Sequence, residues 1–312
     1  MTNSKTNQTK NRTLTLTVTL FGAFVLLPSA LPRAAHAEEK APSPEASATY
    51  ADIKKTLGLV PSFLRAFPEE AIAPAWDEFK GVQLNPSSAI PPKYKELIGL
   101  AVAAQIPCRY CVYFHTKAAG LGGASERETK EAVVMAALVR QWSTVLNGMQ
   151  TDEAKFSAEL ASVLNYVKTP HPAPPAINVT DAPSAYRDME ATLGGVPGFM
   201  KQFPEAGIAG AWREFKTIQL NPHSAVPGKY KELIGLAVAS QIPCRYCIAF
   251  HTETAKLNGA SDAEIREAVA MASLTRHWST FLNGTMVDEA TFRHETDQAI
   301  ANVRKKMSVA AR

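Results

Sequence analysis

The chain repeats itself. Read at an offset of 136 residues, LGLVPSFLRAFPE at 57–69 returns as LGGVPGFMKQFPE at 193–205. KYKELIGLAVAAQIPCRYC at 93–111 returns as KYKELIGLAVASQIPCRYC at 229–247, and QWSTVLNG at 141–148 as HWSTFLNG at 277–284. No gap is needed, and about two-thirds of the aligned positions are identical. A solenoid needs at least three short repeats, so two copies of more than a hundred residues read as a tandem duplication of one domain. Between them, TPHPAPPAINVTDAPS at 169–184 holds five prolines and no apolar period, the composition of a stiff, extended linker. The expected domains are 38–168 and 185–312.

Each copy reads as helices, and no alternating run argues for a strand, so the expected fold class is all-α. From Lys93 to Ala104, the residues Leu97, Ile98, Leu100, Ala101 and Ala104 fall on helical spacing. Pro107 stops that run, and a new helix is expected to open at this proline, since proline suits a first turn. It should run through CRYCVYFHTKAAGL and end at Gly122-Gly123. Ser125 with Glu128, and Ser261 with Glu264, have the spacing of capping boxes opening further helices. The stretch from Pro61 to Gln83 suggests two shorter helices around Pro68 and Pro74.

The first 37 residues differ in character. Residues 1–12 are polar and basic, Leu14 to Leu31 is mostly apolar, and Ala35-His36-Ala37 precedes two glutamates. These are the parts of a secretory signal peptide, with cleavage expected after Ala37 and a periplasmic or secreted mature chain. An uncleaved anchor is the weaker reading, because Thr15, Thr17, Thr19 and Pro28 dilute an apolar stretch that barely reaches a membrane span. The segment also explains the net charge of +4: it holds Lys5, Lys10, Arg12 and Arg33 and no acidic residue, and without it basic and acidic residues balance. A neutral body has no general electrostatic footprint for nucleic acid, and no membrane partner is expected after cleavage.

All four cysteines lie in two copies of P-C-R-Y-C, as Cys108 and Cys111, then Cys244 and Cys247. On a helix, i and i+3 share a face with Cα atoms about 5–5.5 Å apart, inside the window for a disulfide. Each pair can therefore interconvert between dithiol and disulfide with little backbone motion. So short a loop restricts the unfolded chain little, which weakens the case for a structural staple. A helix N-terminus favours the thiolate. His115 and His251 follow one turn after the second cysteine and can hold or move a proton. Glu96 and Glu232, on the preceding helix, could orient the imidazole, completing the nucleophile, base and orienter of an activated thiol. Cys, Cys, His and Glu are also plausible zinc ligands, and a structural disulfide remains open, but spacing and helix context favour thiol redox chemistry without metal or cofactor. A thioredoxin-like site is disfavoured, because its C-x-x-C follows a strand. Trp76, Trp142, Trp212 and Trp278 recur in apolar stretches and read as core or interface residues. Tyr110 and Tyr246, between the cysteines, could stack, donate a hydrogen bond or cover the site.

KELIGLAVAAQIPCRYCVYFH and KELIGLAVASQIPCRYCIAFH resemble the carboxymuconolactone decarboxylase family, specifically its AhpD-like alkylhydroperoxidase branch. Glu, eleven residues, C-x-x-C, three residues, His is that branch's signature, and the resemblance covers nearly the whole chain after the leader, twice. It implies helical subunits assembled as a homo-oligomer, usually a trimer or hexamer; the duplication adds the expectation of two tandem domains packed as a pseudo-dimer, three such chains imitating a hexamer. The resemblance also implies an antioxidant peroxidase that reduces organic hydroperoxides. Cys111 or Cys247 would attack the peroxide, and Cys108 or Cys244 would resolve the sulfenate to a disulfide. Glu96 with His115, and Glu232 with His251, would form the activating relay. The best-studied branch members carry a His between the cysteines, where this chain has Tyr110 and Tyr246, and take electrons from a cytoplasmic lipoyl-protein system. An exported chain needs another thiol reductant. Two other functions stay open: a thiol–disulfide oxidoreductase acting on protein or small-molecule thiols, and a non-catalytic helical module with structural disulfides.

Overall fold

The computed structural model describes residues 41–172 and 176–310; the expected signal peptide lies outside them. Among the described residues there are 14 α-helices, one 3-10 turn at Glu69–Ala71 and no strand. No helix among them is long and apolar enough to cross a membrane.

The first half runs through α1 (Pro44–Leu57), α2 (Ser62–Arg65), α3 (Ile72–Val82), α4 (Pro92–Gln105), α5 (Arg109–Leu121), α6 (Glu126–Gly148) and α7 (Glu153–Lys168). The second repeats the order as α8 (Ala182–Leu193), α9 (Gly198–Gln202), α10 (Glu205–Ile218), α11 (Gly228–Gln241), α12 (Arg245–Leu257), α13 (Asp262–Gly284) and α14 (Glu289–Ala310). Both capping boxes form, at Ser125–Glu128 and Ser261–Glu264.

Two local expectations need correction. The helix expected to open at Pro107 starts at Arg109, because Cys108 is extended (φ −104°, ψ 104°) and acts as its N-cap. The expected linker ends early: α8 begins at Ala182, since Asp181 and Ser184 form a reciprocal cap and Pro183 lies in the first turn. In both, a capping side chain sets the helix start.

The helices α4 and α11 form the centre. Nine consecutive residues of each, Lys95 to Ala103 and Lys231 to Ala239, are buried. A helix buried all round needs partners on every side, and each half supplies only some of them. Besides its own α5 and α6, α4 packs on α11 and α13 of the other half; α11 likewise packs on α4 and α6. Tyr94 stacks on its own repeat counterpart Tyr230, with ring centroids 3.5 Å apart. One apolar cluster joins Ile90, Leu97, Ile98 and Met135 with Val226, Leu233, Ile234 and Met271. The repeats are thus two halves of one body rather than beads on the linker, and the paired packing expected from the duplication is present.

The centre also holds two fully buried lysines. Lys95 donates to the carbonyls of Val82 and Asn85 (3.0 and 2.7 Å) and to Ser88 Oγ (2.7 Å). Lys231 donates to Ile218 and Asn221 carbonyls (both 2.8 Å). Burial pushes both ammonium pKa values down. These bonds fix the loop between α3 and α4, and between α10 and α11, so that Gln83 and Gln219 reach the neighbouring glutamates.

Candidate active site

The eight residues singled out by sequence fall into two equivalent clusters, one per half. In the first, Cys108 caps α5 and its Sγ accepts the Cys111 amide (3.2 Å). The pair is bonded as a disulfide, with Cα atoms 5.3 Å apart. His115, one turn along, places Nδ1 2.7 Å from Oε2 of Glu96 on α4. Gln83 donates Nε2 to the same carboxylate (3.1 Å to Oε1), fixing it from the other side. The second cluster repeats this: Cys244–Cys247, again 5.3 Å between Cα atoms, His251 Nδ1 2.8 Å from Glu232 Oε2, and Gln219 3.2 Å from Glu232 Oε1. All eight residues are buried. Among the described residues, no group of three or more His, Cys, Asp or Glu has metal-holding geometry.

Helix contact explains one invariant between the copies. A Cβ added at Gly99 would lie 2.3 Å from His115 Cε1, and one at Gly235 2.4 Å from His251 Cε1. Only glycine lets the imidazole lie flat against the helix that carries its glutamate.

The clusters are not identical. Thr254 donates to Glu232 Oε2 at 2.6 Å, whereas its counterpart Ala118 has no hydroxyl. Thr275 sits 3.5 Å from His115 Nε2, whereas its counterpart on the other side is Val139.

Each site is walled by the opposite half. A cavity of about 80 Å³ beside Cys111 and His115 is lined by Thr275, Trp278 and Leu282 of α13 and Phe292 of α14. An inner cavity of about 40 Å³ beside Cys247 and His251 is lined by Val139, Trp142 and Leu146 of α6 and Phe156 of α7. The tyrosines between the cysteines reinforce this crossing. Tyr110 donates its hydroxyl to Val287 O at 2.6 Å, and Tyr246 to Thr151 O at 2.5 Å. Each therefore pins its C-x-x-C turn to the loop before the last helix of the other half, and its hydroxyl proton is committed there.

Sequence reasoning did not find Gln83, Gln219, the two glycines or Thr254. The first four are identical in both copies, but so are most of their neighbours, which hides them. The crossing makes a prediction. In the reduced protein, Trp278→Ala is expected to open the cavity at Cys111 and speed alkylation there by about tenfold or more, leaving Cys247 unchanged; Trp142→Ala should do the reverse. Mass spectrometry of peptides labelled with iodoacetamide reads both sites at once, and an effect within the same half instead would contradict the crossed walls.

Fold and site together define a class: a duplicated all-helical protein in which each half carries a buried C-x-x-C disulfide beside a Glu–His pair. The sequence profile of the carboxymuconolactone decarboxylase family matches residues 70–153 and 206–287. The chain belongs to the carboxymuconolactone decarboxylase family. Its fold is similar to the crystal structure of a protein from Burkholderia xenovorans LB400 provisionally assigned as a gamma-carboxymuconolactone decarboxylase subunit. The TM-score is 0.53 at 18% identity, over 81% of this chain and 100% of that one. No curated protein matches the chain in sequence.

Proposed function

We propose that the protein is a thiol peroxidase that reduces organic hydroperoxides at two disulfide-forming sites, and that it is exported through residues 1–37 and recharged by an external thiol. The observation that carries the reading is the placement of the second cysteine. Cys111 and Cys247 line the cavities together with the imidazoles, while Cys108 and Cys244 are fully buried and outside both linings.

In the reduced enzyme, the Cys111 thiolate attacks the terminal oxygen of the hydroperoxide. The S–O bond forms as the O–O bond breaks, and His115, held by Glu96, gives the departing alkoxide its proton. The products are an alcohol and a sulfenic acid. Cys108 then attacks the sulfenic sulfur, water leaves, and the disulfide forms. Two electrons from the external thiol restore the dithiol. Cys247, His251, Glu232 and Cys244 repeat the sequence.

Enclosure favours small substrates over protein thiols. Cys108 is fully buried and Cys111 only 4% exposed, so a folded protein cannot present its own cysteine there. Lactone decarboxylation fits less well, because a lactone bearing carboxylates needs cationic partners and neither cysteine cavity has a Lys or Arg in its lining. The test is stopped-flow oxidation of the reduced protein by ethyl hydroperoxide, beside a Cys111→Ser, Cys247→Ser double variant. Fast loss of thiols in the parent and none in the variant is expected. Equally slow reaction of both would sink the peroxidase reading.

A further inference from the structure

We propose that the two sites divide their substrates by size: Cys247 takes hydroperoxides with a large, neutral, apolar body, and Cys111 takes only small ones. The proposal rests on the peroxidase reading and adds to it a difference between the halves.

The second half contains a chamber of about 300 Å³, whereas the matching residues at the first site line a cavity of about 80 Å³. Leu160, Val163 and Leu164 of α7 form one wall, and Met200, Leu220 and Phe250 lie across from them. It adjoins the inner cavity of Cys247 and His251, and Phe156, Phe199, Phe215, Gln219 and Phe250 line both. In the first half the corresponding space is one continuous cavity, from Leu57 and Pro61 to Cys111 and His115, of about 80 Å³. The two spaces of the second half are by this comparison the outer and inner ends of one passage, with phenylalanine rings between them. An apolar cavity of about 150 Å³ holds a benzene ring. The chamber therefore has room for an aromatic or branched alkyl body, and the first cavity does not.

The difference traces to particular side chains. In the first half, α14 is tied down onto α5. Tyr113 donates to Asp297 (2.8 Å), Lys117 pairs with Asp297 (3.0 Å), and Arg293 lies over the Tyr113 ring (4.5 Å). Asn302, further along α14, donates to Leu57 O (3.3 Å). On α12 and α7 the counterparts are Ala249, Glu253, Ala161 and Ser157, which can make none of the first three ties. The last helix is thus held to α5 over the first site, while α7 lacks those three ties to α12 and is held further along, where Tyr166 donates to Ala191 O (3.3 Å), and the second space stays wide.

The lining also sets the chemistry of the occupant. The charged groups at the chamber have partners: Lys231 is spent on two carbonyls, Glu159 accepts the Gly198 amide (2.8 Å), and Glu232 holds His251. What remains for a ligand is apolar surface, which favours a neutral hydrocarbon body.

Two full-length variants test this, each keeping one pair: Cys108→Ser with Cys111→Ser, and Cys244→Ser with Cys247→Ser. Oxidation of each reduced protein is timed with ethyl hydroperoxide and with cumene hydroperoxide. The cumene-to-ethyl rate ratio is expected to be about tenfold or more higher in the protein that keeps Cys247, a discrimination of the size that pocket fit supplies. Val163→Trp in that protein, at a half-buried position on the chamber wall, should cut its ratio by a similar factor. Equal ratios in the two proteins, or a ratio that Val163→Trp leaves unchanged, would overturn the division by size while the peroxidase reading stands. If neither hydroperoxide oxidises either protein, the peroxidase reading fails and the proposal falls with it.

Discussion

A fragment ending at Lys168, cut free of the second half, is expected to give no stable folded monomer: it will pair with a second copy of itself or stay unfolded. The reason is the shared interior. Within the first half, Ile90, Leu97 and Ile98 sit in a cluster whose other members include Val226, Leu233 and Ile234. A second cluster sets Leu64, Trp76 and Cys111 against Trp278, Leu282 and Phe292. Exposing even five such side chains costs about 1.5–3 kcal/mol each, which matches the entire stability of a typical domain, about 5–15 kcal/mol. A homodimer can restore the loss, because Tyr94 and Tyr230 already stack as equivalent residues across the two halves. Sedimentation equilibrium with circular dichroism checks it. A helical fragment that remains monomeric at micromolar concentration would show that each repeat carries a sufficient core of its own.

The second large effect concerns the relay. Glu96→Ala is expected to slow peroxide oxidation at Cys111 by about 10²–10⁴-fold, the range for losing a positioned proton-transfer partner. Glu232→Ala should do the same at Cys247 and leave Cys111 untouched. Each glutamate holds an imidazole on one oxygen and a glutamine amide on the carboxylate. Without it, two buried polar groups lose their partner, at about 1–3 kcal/mol each. Glu96→Gln separates the roles: it keeps the shape and one acceptor, so it should recover most of the stability and little of the rate. Rates are read per site by mass spectrometry of the oxidised peptides, and stability by urea denaturation. Recovery of both in Glu96→Gln would mean that the glutamate is only a packing element.

Much of this was legible in the residues. The 136-residue offset, helical spacing and two capping boxes fix an all-helical duplicated chain. The C-x-x-C spacing places each pair within reach of a disulfide, and the following His and preceding Glu mark the rest of each cluster. These features are local: periodicity, capping and i, i+3 geometry act within a few residues. The start of α5 at Arg109 and the end of the linker before Ala182 are set by capping side chains, Cys108 and Asp181, which proline composition does not reveal.

What the sequence could not give is which half faces which. The two copies carry the same helical pattern, so nothing in the pattern says that α13 and α14 wall the first site, or that α6 and α7 wall the second. That choice is made by burial. Helices α4 and α11 are buried on all sides, and each is covered only by taking helices from the other copy. The same packing brings distant residues together: Tyr113 and Asp297, 184 positions apart, tie α5 to α14, and their alanine counterparts make no such tie between α12 and α7. Local chemistry was determined by the sequence. Access to it was decided by the tertiary structure, because a cavity is a property of the surfaces that meet around it and not of the residues that react inside.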